Sequence, residues 1–532
     1  MWRLKTVPHK ARLQGSGLEE FKLKRREQER ALRQARRDRQ LVSKRVLLHE
    51  DEDDAFEGEG TMDTCITPTS DQVVKLLHGL QAGGEKRTTL CRELRRALRD
   101  LKVQLIFIRL ENSMRVVVSL LSGSDAQCRV EAGKCLHTLS HSPHPEVGMT
   151  CLLASPYLLT YLSGQSAKFT ELCLYTLGNL CPENELVREK LLAQGIIPAL
   201  HHCLQNHGGN LAVLEAVAFA LSQLLQARDA EQKIIPLVLT SGLTSHLMAG
   251  LNSDPEYGIG ASIECAWCLH YLSCSETDSS VLVNHGALSR CSSLMVTLGG
   301  AVAHGESQDG LELLIWPLLR CLGNLLARCD TCEEVGACVN DCRLLAALGV
   351  FAQSYLHTHP ALGREALWVL NNLTADSVVW CSAVLGSGLV PVLIQLMPFS
   401  QGINSMVLRT LGNVAYKGTA FCLQLVEAGV LPALCATLKM ADAEVVTLSL
   451  EVLHLLVASS PQVAEGFVQL KGVSVLEMML FNSEEALRLR ASYIIDHLPQ
   501  PGVSTHAHAH AHAHAHAHAH AHAHAHAHAS SV

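Results

Sequence analysis

The chain repeats a pair of residue types that could bind an extended peptide. An aromatic or cationic side chain is followed four residues later by an amide or another polar side chain, often in Leu-Gly-Asn at 177–179, 322–324 and 411–413. An amide both donates and accepts hydrogen bonds, so a row of amides can pair with a peptide backbone. A ring one helical turn earlier can hold a lysine or arginine stem and attract its charge. The groove positions that we predict are Tyr175, Asn179, Phe219, Gln223, Trp267, Tyr271, Arg320, Asn324, Trp368, Asn372, Arg409 and Asn413.

The spacing of these polar residues predicts the elements that carry them. They recur at 138, 179, 223, 271, 324, 372, 413 and 455, in steps of 41 to 53 residues, and a period in the forties is typical of stacked helical units. Glycines at 195, 242, 286, 388, 429 and 472 begin new apolar runs, and three of them precede a proline suited to a first helical turn. We predict an all-α, right-handed solenoid whose long third helices carry the groove residues. Residues 299–310 are predicted to form a flexible loop.

Composition and charge suggest how the 532 residues are organised. Hydrophobic residues make up 48% of the chain, which suffices for one continuous core along a solenoid. Residues 1–45 carry 15 Lys and Arg against five Asp and Glu, whereas residues 50–59 hold seven carboxylates. The predicted segments are a basic arm over 1–48, an acidic linker over 49–70, repeats over 71–498 and a disordered tail over 499–532. The acidic body argues against nucleic acid and anionic membrane as main partners.

The same residues carry a resemblance to a known family. The repeat length, the Gly-x-x-Pro turns and the pair Trp368 and Asn372 resemble armadillo repeats of the importin-alpha type. The segment 32–41 resembles the heart of the importin-beta-binding helix, and Lys44-Arg45 resembles the basic cluster behind it. Over residues 18–498 the chain is most similar to a divergent group of importin-alpha relatives. The fold that this resemblance implies is an armadillo-repeat solenoid.

The resemblance also implies a function and partners. It implies an adaptor, not an enzyme, that works in the cytoplasm and nucleus and binds a cargo peptide in its concave groove. Glu183 would pair with a cargo lysine, and Lys44 and Arg45 would fold back into the groove and compete with cargo. An importin-beta-type carrier would bind the arm through Lys24, Arg25, Arg26, Arg33, Arg36, Arg37 and Arg39.

The chain also departs from the family's pattern. Lys134, Tyr175, Phe219 and Arg409 stand in the slot where the family has Trp, and the Asn slots at 138 and 223 hold Thr and Gln. Each lost stacking or hydrogen-bonding contact costs on the order of 1 kcal/mol. The expected result is weak binding of basic cargo signals, or a groove that has changed its ligand.

Two uncharged windows, 147–167 and 377–408, leave a membrane alternative open. Their length suits a membrane span, but glycines and prolines interrupt the second window, and both windows lie in register with the repeat. We therefore favour buried repeat helices. The alternatives are a membrane-anchored protein with spans near 377–408 and a coiled-coil N-terminus, or an armadillo scaffold with a non-nuclear partner.

Motifs for catalysis or a cofactor are not found in the sequence. There is no phosphate-binding loop, nucleophile elbow or pair of catalytic carboxylates, so we predict no enzyme activity, cofactor or metal. The 20 cysteines fall mostly in apolar runs, and no secretory signal is visible, which favours buried free thiols. Four cysteines at 329, 332, 338 and 342 invite a zinc interpretation, although their spacing does not match a paired zinc-binding pattern. The twelve tail histidines could gather Zn or Ni, but a repeat expansion without function is the favoured interpretation.

Overall fold

The computed structural model describes residues 70–182, 184–252, 259–275, 279–305, 310–328, 343–400, 402–482 and 484–498. Every regular element among them is an α-helix, so the chain is an all-α, armadillo-like solenoid, as the sequence predicts. The predictions on the arm, the linker, the tail, Glu183 and the cysteines at 329–342 lie outside these residues. The described residues form two compact units, one ending at Leu373 and one beginning at Thr374.

Each repeat of the first unit has a short first helix, a second helix and a long third helix, and the repeats stack in series. Its last helix, α20, ends within the second unit. The helices are α1 (Ser70–Ala82), α2 (Arg87–Ala97), α3 (Leu101–Arg109), α4 (Ser113–Leu121), α5 (Ala126–Ser140), α6 (Pro145–Cys151), α7 (Ser155–Tyr161), α8 (Ala167–Leu180), α9 (Glu185–Ala193), α10 (Ile196–Asn206), α11 (Leu211–Leu225), α12 (Ala230–Lys233), α13 (Ile235–Ser241), α14 (Leu243–Ala249), α15 (Gly260–Ser273), α16 (Ser279–Asn284), α17 (Ala287–Ala303), α18 (Leu311–Arg328), α19 (Arg343–Ser354) and α20 (Pro360–Asp376).

The second unit continues the same order of helices. Its third helices also pack in series, the first against the second and the second against the last. The helices are α21 (Val378–Gly386), α22 (Leu389–Leu396), α23 (Ile403–Ala415), α24 (Thr419–Glu427), α25 (Val430–Thr437), α26 (Ala443–Ser459), α27 (Pro461–Gln469), α28 (Gly472–Asn482) and α29 (Glu485–Asp496).

The turns between first and second helices follow the predicted glycines. Gly195, Gly388 and Gly429 have φ values of 80°, 74° and 93°, a left-handed conformation that glycine adopts without steric cost. The proline of each Gly-x-x-Pro motif lies in the first turn of the following helix, where its missing N–H has no helical partner to lose. The last repeat differs, because Lys471 takes the positive φ of 57° and Gly472 begins α28.

The predicted loop over 299–310 is wrong for its first residues. Helix α17 continues through Gly299 and Gly300 and ends at Ala303. Gly299 is buried against α19, and a Cβ atom on it would lie only 2.5 Å from the Cβ of Ala347. This glycine therefore allows close packing of two helices, whereas the sequence predicted a flexible loop.

The uncharged windows are divided among several helices. Window 147–167 contains parts of α6 and α7, and window 377–408 contains α21, α22 and the beginning of α23. Across the described ranges, no helix by itself has the length and apolar composition to cross a membrane. Three pairs of consecutive helices have that length and composition only when taken together, and each pair is sharply bent. They are α11 with the segment 230–241 (bent by 117°), α21 with α22 (86°) and α24 with α25 (83°).

Candidate peptide groove on the third helices

The third helices of the first unit carry the aromatic groove residues side by side. Helix α11 packs against α8 on one side and α15 on the other, and the rings of Tyr175 and Phe219 have centroids 5.2 Å apart. On α15, Trp267 stacks on Tyr271 with a centroid distance of 5.8 Å. Tyr175, Phe219 and Trp267 are each half-buried. Three consecutive helices therefore present partly accessible rings.

Glycines of the Leu-Gly-Asn motif receive rings from the following repeat. A Cβ atom on Gly178 would lie 2.7 Å from Cε1 of Phe219, and one on Gly323 would overlap the indole of Trp368. In both cases the ring packs directly on the helix backbone beside the asparagine. Rings and asparagines of successive third helices therefore lie next to each other.

The asparagines of the first unit donate hydrogen bonds to the preceding repeat. Nδ2 of Asn179 donates to Oγ of Ser140 (3.2 Å), and Nδ2 of Asn324 donates to Oγ of Ser273 (3.1 Å). Asn179 and Asn324 are half-buried. These amides thus link neighbouring repeats while keeping part of their surface accessible.

Two other amide positions are almost closed to solvent. Asn372 is 5% exposed, and its Nδ2 donates to the carbonyl oxygen of Gly323 at 3.1 Å. Gln223 is 6% exposed and donates to Oγ of Ser222 at 3.3 Å. A peptide could reach these side chains only if the neighbouring helices moved.

In the second unit, α23 carries Arg409 and Asn413. Asn413 is fully buried, and its Nδ2 lies 3.3 Å from Oγ1 of Thr374. Arg409 donates to Glu444 of α26 at 2.8 Å, with the carboxylate more than half exposed. The predicted pair of Arg409 and Asn413 therefore consists here of a cation bound to a glutamate and a buried amide.

Cationic residues in the ring slot pair with carboxylates of the same helix or of a neighbouring helix. Arg320 is 1% exposed, lies 5.5 Å from the ring of Trp316 and donates to Oε1 of Glu365 at 3.2 Å. Lys134 pairs with Glu131, which also accepts a hydrogen bond from Arg92 and lies 3.6 Å from Nε of Arg95. Arg320 therefore meets one buried carboxylate, whereas Lys134 shares Glu131 with two arginines.

Comparison of the sequence with known proteins assigns the chain to a family. A sequence model of the TMCO6 family matches residues 73–497. The chain belongs to the TMCO6 family. It is also 26% identical over 433 residues to importin subunit alpha-9 of Arabidopsis thaliana, covering 77% of this chain and 79% of that protein. Importin subunit alpha-2 of Oryza sativa subsp. japonica is 28% identical over 516 residues, covering 92% of this chain and 94% of that protein.

A solved structure supports the fold of this TMCO6-family chain. An engineered protein covers 81% of this chain and 99% of its own, with a TM-score of 0.64 and 19% identity. Likeness at that identity concerns the fold alone. Together with the importin-alpha relatives, it gives the TMCO6-family chain an armadillo-repeat, adaptor-like fold.

Sequence reasoning missed the carboxylates of the third helices. Tyr175 donates from its hydroxyl to Oε1 of Glu215 at 3.4 Å, and Oε2 of Glu264 accepts from Ser222 at 3.5 Å. Glu264 is 2% exposed. Glutamates recur three or four residues before the ring slot, at 131, 171, 215, 264 and 365, and that repetition could have revealed them. They give the aromatic stretch a negative character that favours cationic side chains.

The thiols of this TMCO6-family chain belong to the helix core. Among the described cysteines most are buried, and burial raises the pKa of Cys151, Cys181 and Cys203 to about 12. In the described ranges no group of three or more His, Cys, Asp and Glu side chains converges on one point. The third helices present rings, amides and carboxylates, side chains that take part in noncovalent recognition.

Proposed function

We propose that this TMCO6-family chain is an importin-alpha-like adaptor for protein import into the nucleus. It binds a basic or related extended cargo peptide on its third helices and an importin-beta-type carrier through its N-terminal arm, and it moves between cytoplasm and nucleus. The observation that carries the proposal is the row of half-buried rings Tyr175, Phe219 and Trp267 on three neighbouring helices. Its relatives named as importin alpha subunits support the same function.

The aromatic stretch suits a cationic peptide better than the rest of the groove. The rings can hold lysine or arginine stems, and Glu215 and Glu264 lie on the same helices. Arg320 and Arg409, in contrast, already pair with glutamates of the protein. The proposed peptide therefore binds mainly along α8, α11 and α15, and Asn179 is the amide that remains partly accessible there.

Peptide binding is tested on the full chain with a fluorescein-labelled, lysine-rich heptapeptide. Fluorescence anisotropy should give about fivefold weaker binding for Trp267→Ala, because one cation–π contact contributes about 1 kcal/mol. Tyr157→Ala is the matched control, since Tyr157 is an exposed aromatic residue on α7, outside the third helices. Equal affinity of the Trp267→Ala variant and the parent would contradict peptide binding by these rings.

Carrier binding is tested separately, because it rests on the arm. In a pull-down, an importin-beta-type carrier should no longer retain the chain when Arg33, Arg36 and Arg37 are changed to Glu. Reversal of Lys10 and Arg12 is the control, since both lie before the segment that resembles the carrier-binding helix. Retention of the triple variant at the level of the control would defeat the carrier proposal.

The basic cluster at Lys44 and Arg45 makes a third test. If it competes with cargo for the groove, changing both residues to Ala should tighten heptapeptide binding to the full chain, and carrier should no longer increase that affinity. Unchanged affinity would show that the cluster does not occupy the groove.

A further inference from the structure

Two histidines at the end of α5 bring their ring nitrogens together. His137 and His141 are four residues apart, one turn along the helix, and both are half-buried. Their Nε2 atoms lie 3.2 Å apart. The ring planes are nearly perpendicular, at 85°, and the ring centroids are only 4.7 Å apart. The two Nε2 atoms therefore lie within reach of one small ligand.

This separation matches what one metal ion requires of two imidazole ligands. Zinc binds imidazole nitrogen at about 2.0–2.1 Å in tetrahedral geometry, which places two ligand nitrogens about 3.3 Å apart. Two histidines spaced i, i+4 on one helical face form a recurrent zinc-binding arrangement. We propose that His137 and His141 bind a divalent transition-metal ion, Zn²⁺ in the first instance, through their Nε2 atoms. Metal binding here does not require the adaptor function, although the ion would lie at the first of the proposed peptide slots.

A third donor comes from the next repeat. The side-chain amide of Asn179 on α8 lies with Nδ2 3.3 Å from Nε2 of His141. A half-turn of this amide, which exchanges its hydrogen bond to Ser140 Oγ for one accepted from that hydroxyl, brings Oδ1 to the same place, and an amide oxygen can coordinate a divalent ion. Solvent would complete the coordination, as at open zinc sites. The ion would then connect α5 with α8 at the first of the proposed peptide slots.

The surroundings of the pair allow a positive ion. Oγ1 of Thr176 lies 3.4 Å from Nδ1 of His137, so the second ring nitrogen has the hydrogen-bonding partner that usually orients a ligating histidine. Lys134 lies one turn before His137, and its ammonium group is 3.4 Å from Oε1 of Glu131. That carboxylate, which also pairs with Arg92 and Arg95, offsets part of the repulsion that the lysine would exert on a bound cation.

A second histidine group in the same unit provides the contrast. His201 and His202 on α10 lie near His246, with centroid distances from the His201 ring of 5.9 and 5.6 Å. Gln205 contacts Nε2 of His201 at 2.9 Å and Nδ1 of His202 at 3.1 Å. Gln205 occupies one ring nitrogen of His201 and one of His202, so this group serves as the control.

The test is isothermal titration of the full-length chain with zinc chloride. The parent protein carries Ala in place of the twelve tail histidines, which removes their background binding. His137→Gln and His141→Gln should each lose one zinc equivalent or bind it at least tenfold more weakly, whereas His201→Gln should match the parent. Unchanged zinc stoichiometry and zinc affinity in both His137→Gln and His141→Gln would overturn the proposal.

A variant that should bind zinc more tightly distinguishes loss of the site from failure of a variant to fold. Asn179→Asp replaces the amide oxygen by a carboxylate, a stronger zinc ligand, and should tighten zinc binding at least tenfold. The gain should disappear when His141→Gln is added. Equal zinc affinity in Asn179→Asp and the parent would remove Asn179 from the site, and a gain that persists without His141 would overturn the assignment of the pair.

Discussion

The indole ring of Trp368 packs on the backbone of Gly323, in the third helix of the preceding repeat. The same glycine accepts a hydrogen bond through its carbonyl oxygen from Nδ2 of Asn372 at 3.1 Å. Ring and amide of one repeat thus both contact a single residue of the repeat before it. The Leu-Gly-Asn motif therefore serves the junction between repeats as well as the groove.

Gly323→Ala should destabilise the first unit. Alanine in a helix interior ordinarily stabilises by about 1 kcal/mol over glycine, but the added methyl group would overlap the Trp368 ring. Overpacking of this kind costs about 1–3 kcal/mol. We expect a lower urea midpoint, measured by circular dichroism.

Gly300→Ala is the matched control for that substitution. Gly300 lies in α17, is exposed, and has no neighbouring atom within 4 Å of an added Cβ. Its replacement should raise the midpoint or leave it unchanged. A Gly323→Ala protein as stable as Gly300→Ala would show that Trp368 moves aside at no cost.

Glu365→Ala should be strongly destabilising. It leaves the guanidinium of Arg320, which is 1% exposed, without the carboxylate at 3.2 Å. Removing one partner of a buried ion pair costs about 3–5 kcal/mol, because the remaining buried charge loses a compensating carboxylate. The double change of Arg320→Met and Glu365→Leu should recover most of the loss, as seen by urea denaturation.

An exposed ion pair of the same unit provides the comparison. Lys233 and Glu189 are 2.9 Å apart, and both side chains are nearly half exposed. Glu189→Ala should cost less than 1 kcal/mol. Similar losses for the two glutamate variants would mean that the Arg320 charge is relieved by solvent.

Periodicity made the helical layers predictable, whereas contacts between layers were not. A polar residue every forty-odd positions locates the third helices, and glycines such as Gly195 and Gly388 fix the turns through their positive φ. The sequence could not indicate that Asn413 is fully buried, because helical spacing gives the face of a residue but not what covers it. The pairing of Arg320 with Glu365, 45 residues later, depends on the offset between neighbouring layers.

Cys274 should be the most reactive of the described cysteines. It is exposed just after α15, whereas thiols such as Cys203 are buried and have a pKa raised to about 12 by burial. Only the thiolate reacts rapidly with iodoacetamide. Brief alkylation of the native chain near pH 8, read by peptide mass spectrometry, should modify Cys274 before the buried thiols.

Denaturation provides the control for this labelling. In guanidinium chloride the described cysteines should react at similar rates, and Cys274→Ser should abolish the fast reaction among them. Rapid modification of Cys203 in the native chain would contradict its burial between α10 and the neighbouring helices.

His454 should make the second unit less stable in mild acid. It is half-buried on α26, and its pKa is lowered by burial and by the nearby charge of His497. The folded state therefore binds fewer protons than the unfolded state, whose histidine titrates near 6.5. The stability that depends on neutral His454 is present above that pH and is lost as the pH falls below it.

We expect the urea midpoint to fall between pH 7 and about pH 5.5, and to fall less in His454→Gln. His202→Gln, which removes an exposed histidine, should keep the pH dependence of the parent. If His454→Gln kept it as well, the acid sensitivity would have to come from other groups.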